Sequence, residues 1–218
     1  MEITKAQKQR VTAVCVILLI LFCDQLIKYL VKTSMSLYES VSMAGNWAIL
    51  YFTENKGMAF GVDFMGTFCL CLLRIVAVVL LAYYLNKAIK KNVPTGLIIC
   101  LSLVLAGAAG NIFDNMFYGL IYSESTPYSV ASLVPFGHGY GQLFTGRVVD
   151  MFYFPIIQTT WPDWLPFWGG HRFVFFSPIF NFADSAITCG GFAAVIFYHK
   201  TFSKYIGKGK AQNGGDAE

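Results

Sequence analysis

Four stretches of this chain, 11–31, 68–85, 95–112 and 178–198, are apolar almost throughout, and each is long enough to cross a bilayer as a helix. The overall make-up agrees, because 56% of the residues are hydrophobic and only 13% are charged. That charged share is about half the ~25% of soluble domains. With 218 residues there is room for a few helices and modest loops, not for two domains. The expectation is an all-α membrane protein: a single integral membrane domain over 1–218 with four transmembrane helices. A small extracytoplasmic β-sheet and loop region lies between them, and the polar tail 203–218 is expected to be disordered.

The first run follows a short basic start (Lys5, Lys8, Arg10), as a cleavable signal peptide would, but no A-x-A site precedes Lys32. It reads as the first span. Lysine and arginine set the topology. Lys5, Lys8 and Arg10, then Lys87, Lys90 and Lys91, then Lys200, Lys204, Lys208 and Lys210 make ten of the sixteen basic residues. The positive-inside rule places these three segments in the cytoplasm, so both termini are inside and the two long loops face outward. The net charge of +4 is explained by this distribution and calls for no nucleic acid.

In the first loop, Trp47–Thr53 reads as a strand and Glu54-Asn55-Lys56-Gly57 as a turn. In the second, Ser123–Thr145 is irregular, Gly146–Phe154 is a strand or membrane-edge segment, and Trp161, Trp164 and Trp168 suit a headgroup boundary. The six cysteines fall in or beside apolar runs, and the three histidines are far apart, so neither a disulfide framework nor a metal site is indicated. No cofactor is expected.

The polar residues inside the apolar runs carry the functional information. Asp24 and Lys28 are one turn apart and read as an ion pair anchoring the helix end. The third run ends in Ala106-Gly107-Ala108-Ala109-Gly110, a surface on which a second helix can approach closely. Asn111, Asp114 and Asn115 follow at helical spacing. Ser177-Pro178 reads as the start of the last helix, which would put Asn181, Asp184 and Thr188 on one face. An ionised Asp184 facing lipid would be expensive, so it must face protein or water. Asp150 lies at a similar depth on the outer side. Two carboxylates sharing a partly dry site cannot both ionise, and one then serves as base while the other stays an acid, the division of labour found in aspartic proteases. Intramembrane acids also build proton pathways, so these residues alone leave a protease and a proton- or ion-coupled transporter component both open. A lipid-binding or assembly factor is a third reading.

Five motifs occur in order: Asp24-Gln25-x-x-Lys28, Asn55-x-Gly57-x-Ala59-Phe60, Gly107-x-x-Gly110-Asn111-x-x-Asp114, Val148-Val149-Asp150 and Phe180-Asn181-x-Ala183-Asp184. In these the chain resembles bacterial lipoprotein signal peptidase (signal peptidase II), an aspartyl protease of the cytoplasmic (inner) membrane, and the resemblance covers most of its length. It implies Asp150 and Asp184 as the catalytic pair, with supporting or substrate-contacting roles for Asp24, Lys28, Asn55, Gly57, Gly110, Asn111, Asp114 and Asn181. It implies prolipoprotein substrates cut before a diacylglyceryl-modified cysteine, inhibition by the cyclic peptide globomycin, and no metal or organic cofactor. Two departures stand out. Asn115 occupies the position where that family usually has arginine, and Arg147 is the candidate to supply the missing positive charge. The stretches 123–145 and 158–172 look like insertions.

Overall fold

The computed structural model describes residues 3–55 and 66–212, with side chains described outside 66–70 and 202–212. Helix α1 (Lys5–Ser34) starts on a reciprocal cap: the Gln7 amide donates to Thr4 Oγ1 (3.2 Å), and the Thr4 amide donates to Gln7 Oε1 (2.8 Å). α2 (Gly66–Lys90) and α3 (Thr95–Phe113) are joined by the basic turn read from the sequence, with Asn92 in the left-handed region at φ 51°. Among the described residues, three helical stretches are long and apolar enough to cross a membrane: Lys5–Ser34, Cys71–Lys90 and Thr95–Ile121. The last helix, α4 (Phe182–Gln212), continues into the segment read as a polar tail, and 213–218 lie outside the described residues.

The chain forms two compact units. One comprises 1–22, 74–109 and 183–218, and the other 23–73 and 110–182. The first has a helical core of Ala13, Leu85, Ile89, Leu97, Ile98, Leu105 and Ala194. Apolar side chains also cover its outside: Val11, Val14, Leu18, Phe192, Val195 and Phe197 are exposed, as residues facing acyl chains rather than water would be. Within this unit α3 and α4 run antiparallel at close range. A Cβ on Gly107 would collide with the Ala183 carbonyl oxygen and come within 2.8 Å of Ile187 Cγ1, and one on Gly190 would meet the Cys100 carbonyl at 2.7 Å. The small-residue surface of 106–110 thus does what its composition suggested. Gly107→Ala is expected to destabilise the protein by about 1–3 kcal/mol through overpacking. A thermal midpoint in detergent equal to wild type would show that the two helices part freely.

The second unit carries a four-stranded antiparallel sheet in the order β1 (Ser40–Ala44), β2 (Ala48–Asn55), β3 (Val148–Tyr153), β6 (Ile179–Phe180). A separate hairpin pairs β4 (Ile157–Thr160) with β5 (Arg172–Phe175), and at its tip Trp164 and Phe167 are exposed. Four successive residues of β3, Val148 to Met151, are buried, so this strand is covered on both faces. Its core partners are Val31, Met35, Phe52, Tyr118 and Tyr122.

Two expectations need correcting. Ser177-Pro178 does not start the last helix: β6 pairs with β3 first, and the helix begins at Phe182, leaving Asn181 just outside it. Glu54-Asn55 is not a turn but the end of β2, where pairing with Val149 and Val148 of β3 holds both residues extended. Gly57 lies outside the described residues.

Candidate active site

The sequence places three polar side chains along one stripe of α1, Asp24, Lys28 and Lys32, each one turn from the next, and all three are buried. Lys28 is 0% exposed; its ammonium is ion-paired with Asp24 Oδ2 at 2.8 Å and Asp114 Oδ2 at 2.6 Å and donates to Asn111 Oδ1 at 2.9 Å. Gln25 adds hydrogen bonds to Asp24 Oδ2 (3.1 Å), to Asp114 Oδ1 (2.9 Å) and to the Gly110 carbonyl (3.4 Å), and it accepts one from the Tyr118 hydroxyl (3.1 Å). One ammonium between two carboxylates is a strong interaction only because burial is matched by this many directed bonds.

The local backbone explains why Asp114 and Asn115 serve different partners. At Asp114–Tyr118 the helix widens into a π-turn, a device that rotates side chains out of α-helical register. Asp114 stays with Lys28, while Asn115 donates to the Gly146 carbonyl at 2.8 Å and its own carbonyl accepts from the Gly146 amide at 2.9 Å. The one-face grouping of Asn111, Asp114 and Asn115 expected from α-helical spacing is therefore broken by the turn. Gly146 is required for this approach, because a Cβ there would strike the Asp114 carbonyl oxygen and lie 3.0 Å from that of Asn115.

From Lys28 the polar contacts continue to Asp150. Asn111 Oδ1 also accepts from Asn181 Nδ2 at 3.2 Å, and the same Asn181 nitrogen donates to Asp150 Oδ1 at 2.7 Å. Asp150 is 6% exposed, between Val149 and Met151, which are fully buried. It is thus a carboxylate in a nearly dry setting, oriented by a neutral amide. The structure brings seven expected residues into one connected set: Asp24, Lys28, Gly110, Asn111, Asp114, Asn181 and Asp150. Asp184 sits in the first turn of α4 and is half-buried, and Asn55 is exposed at the end of β2.

Arg147 belongs to a second cluster that the sequence did not announce. Lys32, 0% exposed, pairs with Glu54 Oε1 and donates to Ser125 Oγ at 2.9 Å. Its ammonium lies 5.2 Å from the ring centroids of both Tyr122 and Tyr140. Arg147 reaches Glu54 Oε2 at 3.3 Å and Glu124 Oε1 at 3.1 Å, and its guanidinium lies 5.0 Å from the Tyr140 ring centroid. Burial, reinforced by the Asp114 carboxylate, pushes the Tyr122 hydroxyl up to about 12. Burial likewise holds the Tyr140 phenol neutral well above its ordinary range. The one signal that pointed here was Lys32 itself, one turn beyond Lys28 on a buried stripe and in need of an acid.

Comparison with known proteins converges on one family. The family model for signal peptidase (SPase) II matches residues 16–200. A lipoprotein signal peptidase of Porphyromonas gingivalis is 49% identical over 188 residues, covering 86% of this chain and 82% of that protein. Another, from Amoebophilus asiaticus, is 34% identical over 207 residues, covering 92% and 83%. Two solved bacterial membrane enzymes share the fold. One has TM-score 0.58 at 20% identity, covering 95% of this chain and 93% of that chain. The other has TM-score 0.56 at 23% identity, covering 85% and 90%. These matches set aside the transporter reading: the chain belongs to the signal peptidase II family.

Proposed function

We propose that this chain is an aspartyl endopeptidase that removes signal peptides from diacylglyceryl-modified prolipoproteins, cutting before the lipidated cysteine, with Asp150 and Asp184 as its catalytic pair. The observation that carries the pairing is the 2.7 Å hydrogen bond from Asn181 to Asp150. Asn181 precedes Asp184 by three residues, a length of chain that spans at most about 10 Å, so an anchor on one acid limits how far away the other can lie. The base of the pair takes a proton from water as its oxygen attacks the scissile carbonyl carbon. The acid gives its proton to the carbonyl oxygen; the base, now protonated, then passes its proton to the leaving nitrogen as the C–N bond breaks, and the first acid takes back the hydroxyl proton, which restores the pair. Asn111, Lys28, Asp24 and Asp114 hold Asn181 from behind, Asn55 and Gly57 contact the substrate, and Arg147 stands in for the family arginine that Asn115 replaces.

In the cell, four spans place both termini in the cytoplasm and the acids toward the outer face of the inner membrane. There a lipid-modified precursor presents its cleavage site at the headgroup boundary, and a globomycin-type cyclic peptide competes for the same place. The test is purified protein in detergent with a synthetic precursor peptide carrying diacylglyceryl on its cysteine, beside the same peptide unmodified. Cleavage is expected only of the lipidated peptide, on the amino side of the modified residue. An intact lipidated peptide under conditions where a known signal peptidase II cuts it overturns the proposal.

A further inference from the structure

We infer that the buried cluster of Lys32, Glu54 and Arg147 positions the ends of β2 and β3 for the reaction, an inference that rests on the catalytic role of Asp150 proposed above. The strand register gives the reason. Glu54 lies opposite Val149, its neighbour Thr53 lies opposite Asp150 itself, and Asn55 lies opposite Val148. Between Leu50 and Thr53 the pairing is irregular, so this end of the ladder is not continuous with the regular pairing of Ile49 and Leu50. Something other than the ladder must hold it, and Glu54 is bound from both sides. One carboxylate oxygen takes Lys32 and also Ser125 Oγ at 2.8 Å, while the other takes Arg147, the residue directly before β3. Lys32 sits on α1, one turn after Lys28, so both clusters are referred to the same rigid helix.

The Arg147 backbone is fixed as well: its amide donates to the Tyr140 hydroxyl at 2.7 Å, and the preceding Gly146 is held by Asn115. Arg147 is 26% exposed and Glu124 57% exposed, so the cluster runs from a dry end at Lys32 to a wet end at Glu124. Charge-assisted bonds on a planar guanidinium and a carboxylate fix direction as well as distance, which apolar packing does not. The cluster therefore sets where Asp150 and Asn55 stand relative to α1, and its members touch no reacting atom. They are positioning residues.

A merely structural role and a positioning role separate in one double variant. Lys32→Met or Glu54→Met alone leaves a buried charge without its partner and should lower both the thermal midpoint and kcat. Lys32→Met/Glu54→Met removes both charges with near-isosteric side chains, and its thermal midpoint should recover toward wild type. Its kcat on the lipidated peptide should stay down roughly tenfold or more, as expected when reacting groups are misplaced by a fraction of an ångström. KM should move less than kcat, because Asn55 is one substrate contact among several whereas Asp150 acts on the reacting atoms. Recovery of kcat together with the midpoint overturns the inference. Arg147→Lys supplies a second arm that does not depend on the double variant folding. It keeps the charge but loses the fork that joins Glu54 to Glu124, so a several-fold fall in kcat at a near wild-type midpoint is expected, and an unchanged kcat counts against positioning. Asp150→Asn, run alongside, separates the two levels. Activity surviving in it overturns the aspartate reading and this inference with it, whereas an inactive Asp150→Asn beside cluster variants of wild-type kcat overturns this inference alone.

Discussion

Asp150→Asn and Asp184→Asn are each expected to abolish cleavage of a lipidated precursor while leaving the fold intact. The fold survives at Asp150 because the amide keeps an oxygen where Asn181 Nδ2 now donates, 2.7 Å away, and adds no volume to a strand buried on both faces. What is lost is the proton chemistry. An amide neither takes a proton from water nor gives one to a leaving nitrogen, and a single positioned acid or base is worth about 10² to 10⁴ in rate. The loss should therefore be on the order of 10²- to 10⁴-fold for each variant, and the double variant should be little worse, since residues acting as a unit are not additive. The measurement is precursor cleavage by purified enzyme, beside a thermal scan of the same samples. Either variant retaining a tenth of wild-type kcat would remove the pair from the mechanism.

Lys28→Met is expected to give the largest loss of stability. It leaves Asp24 and Asp114 facing each other in a site where both are buried, and it takes from Asn111 the 2.9 Å donor that fixes its amide. Breaking a buried ion pair by removing one partner costs about 3–5 kcal/mol. Against a total stability of roughly 5–15 kcal/mol, that is a large fraction. For a chain of this size the thermal midpoint should fall on the order of 10 °C. Asp114→Asn in the Lys28→Met background removes one of the stranded charges and should recover part of the loss. A single variant melting with wild type would mean that the ammonium contributes nothing net. Activity should fall too, because Asn111 Oδ1 is the shared acceptor of Lys28 and Asn181, and Asn181 in turn orients Asp150.

The long helices were legible in the sequence because apolar runs of that length leave little other choice, and the Asp24–Lys28 pair was legible because one helical turn brings the two residues together. The close approach of α3 to α4 was likewise written in the small residues around Gly107. The rest depended on departures from regular geometry. The π-turn at Asp114 sends Asn115 to Gly146, and no helical wheel with a fixed period contains that rotation. β6 is two residues long, too short to display the alternation of a strand, so Pro178 looked like a helix start. Glu54 read as part of a turn because glutamate followed by Asn-Lys-Gly is polar. Its burial comes from Lys32, twenty-two positions earlier in the chain, and from Arg147, ninety-three positions later. Long-range charge pairing of that kind has no local signature.

The contact of Gly107 with the Ala183 carbonyl has a bearing on how such a protein drifts through evolution. Where two helices meet main chain to main chain, the joint is specified by the absence of a side chain, not by the complementarity of two. Outward-facing positions such as Val14, Leu18, Phe192 and Phe197 can then exchange freely among apolar residues without loosening it. Asp184, one residue beyond that joint, is therefore placed by backbone geometry rather than by the side chains around it.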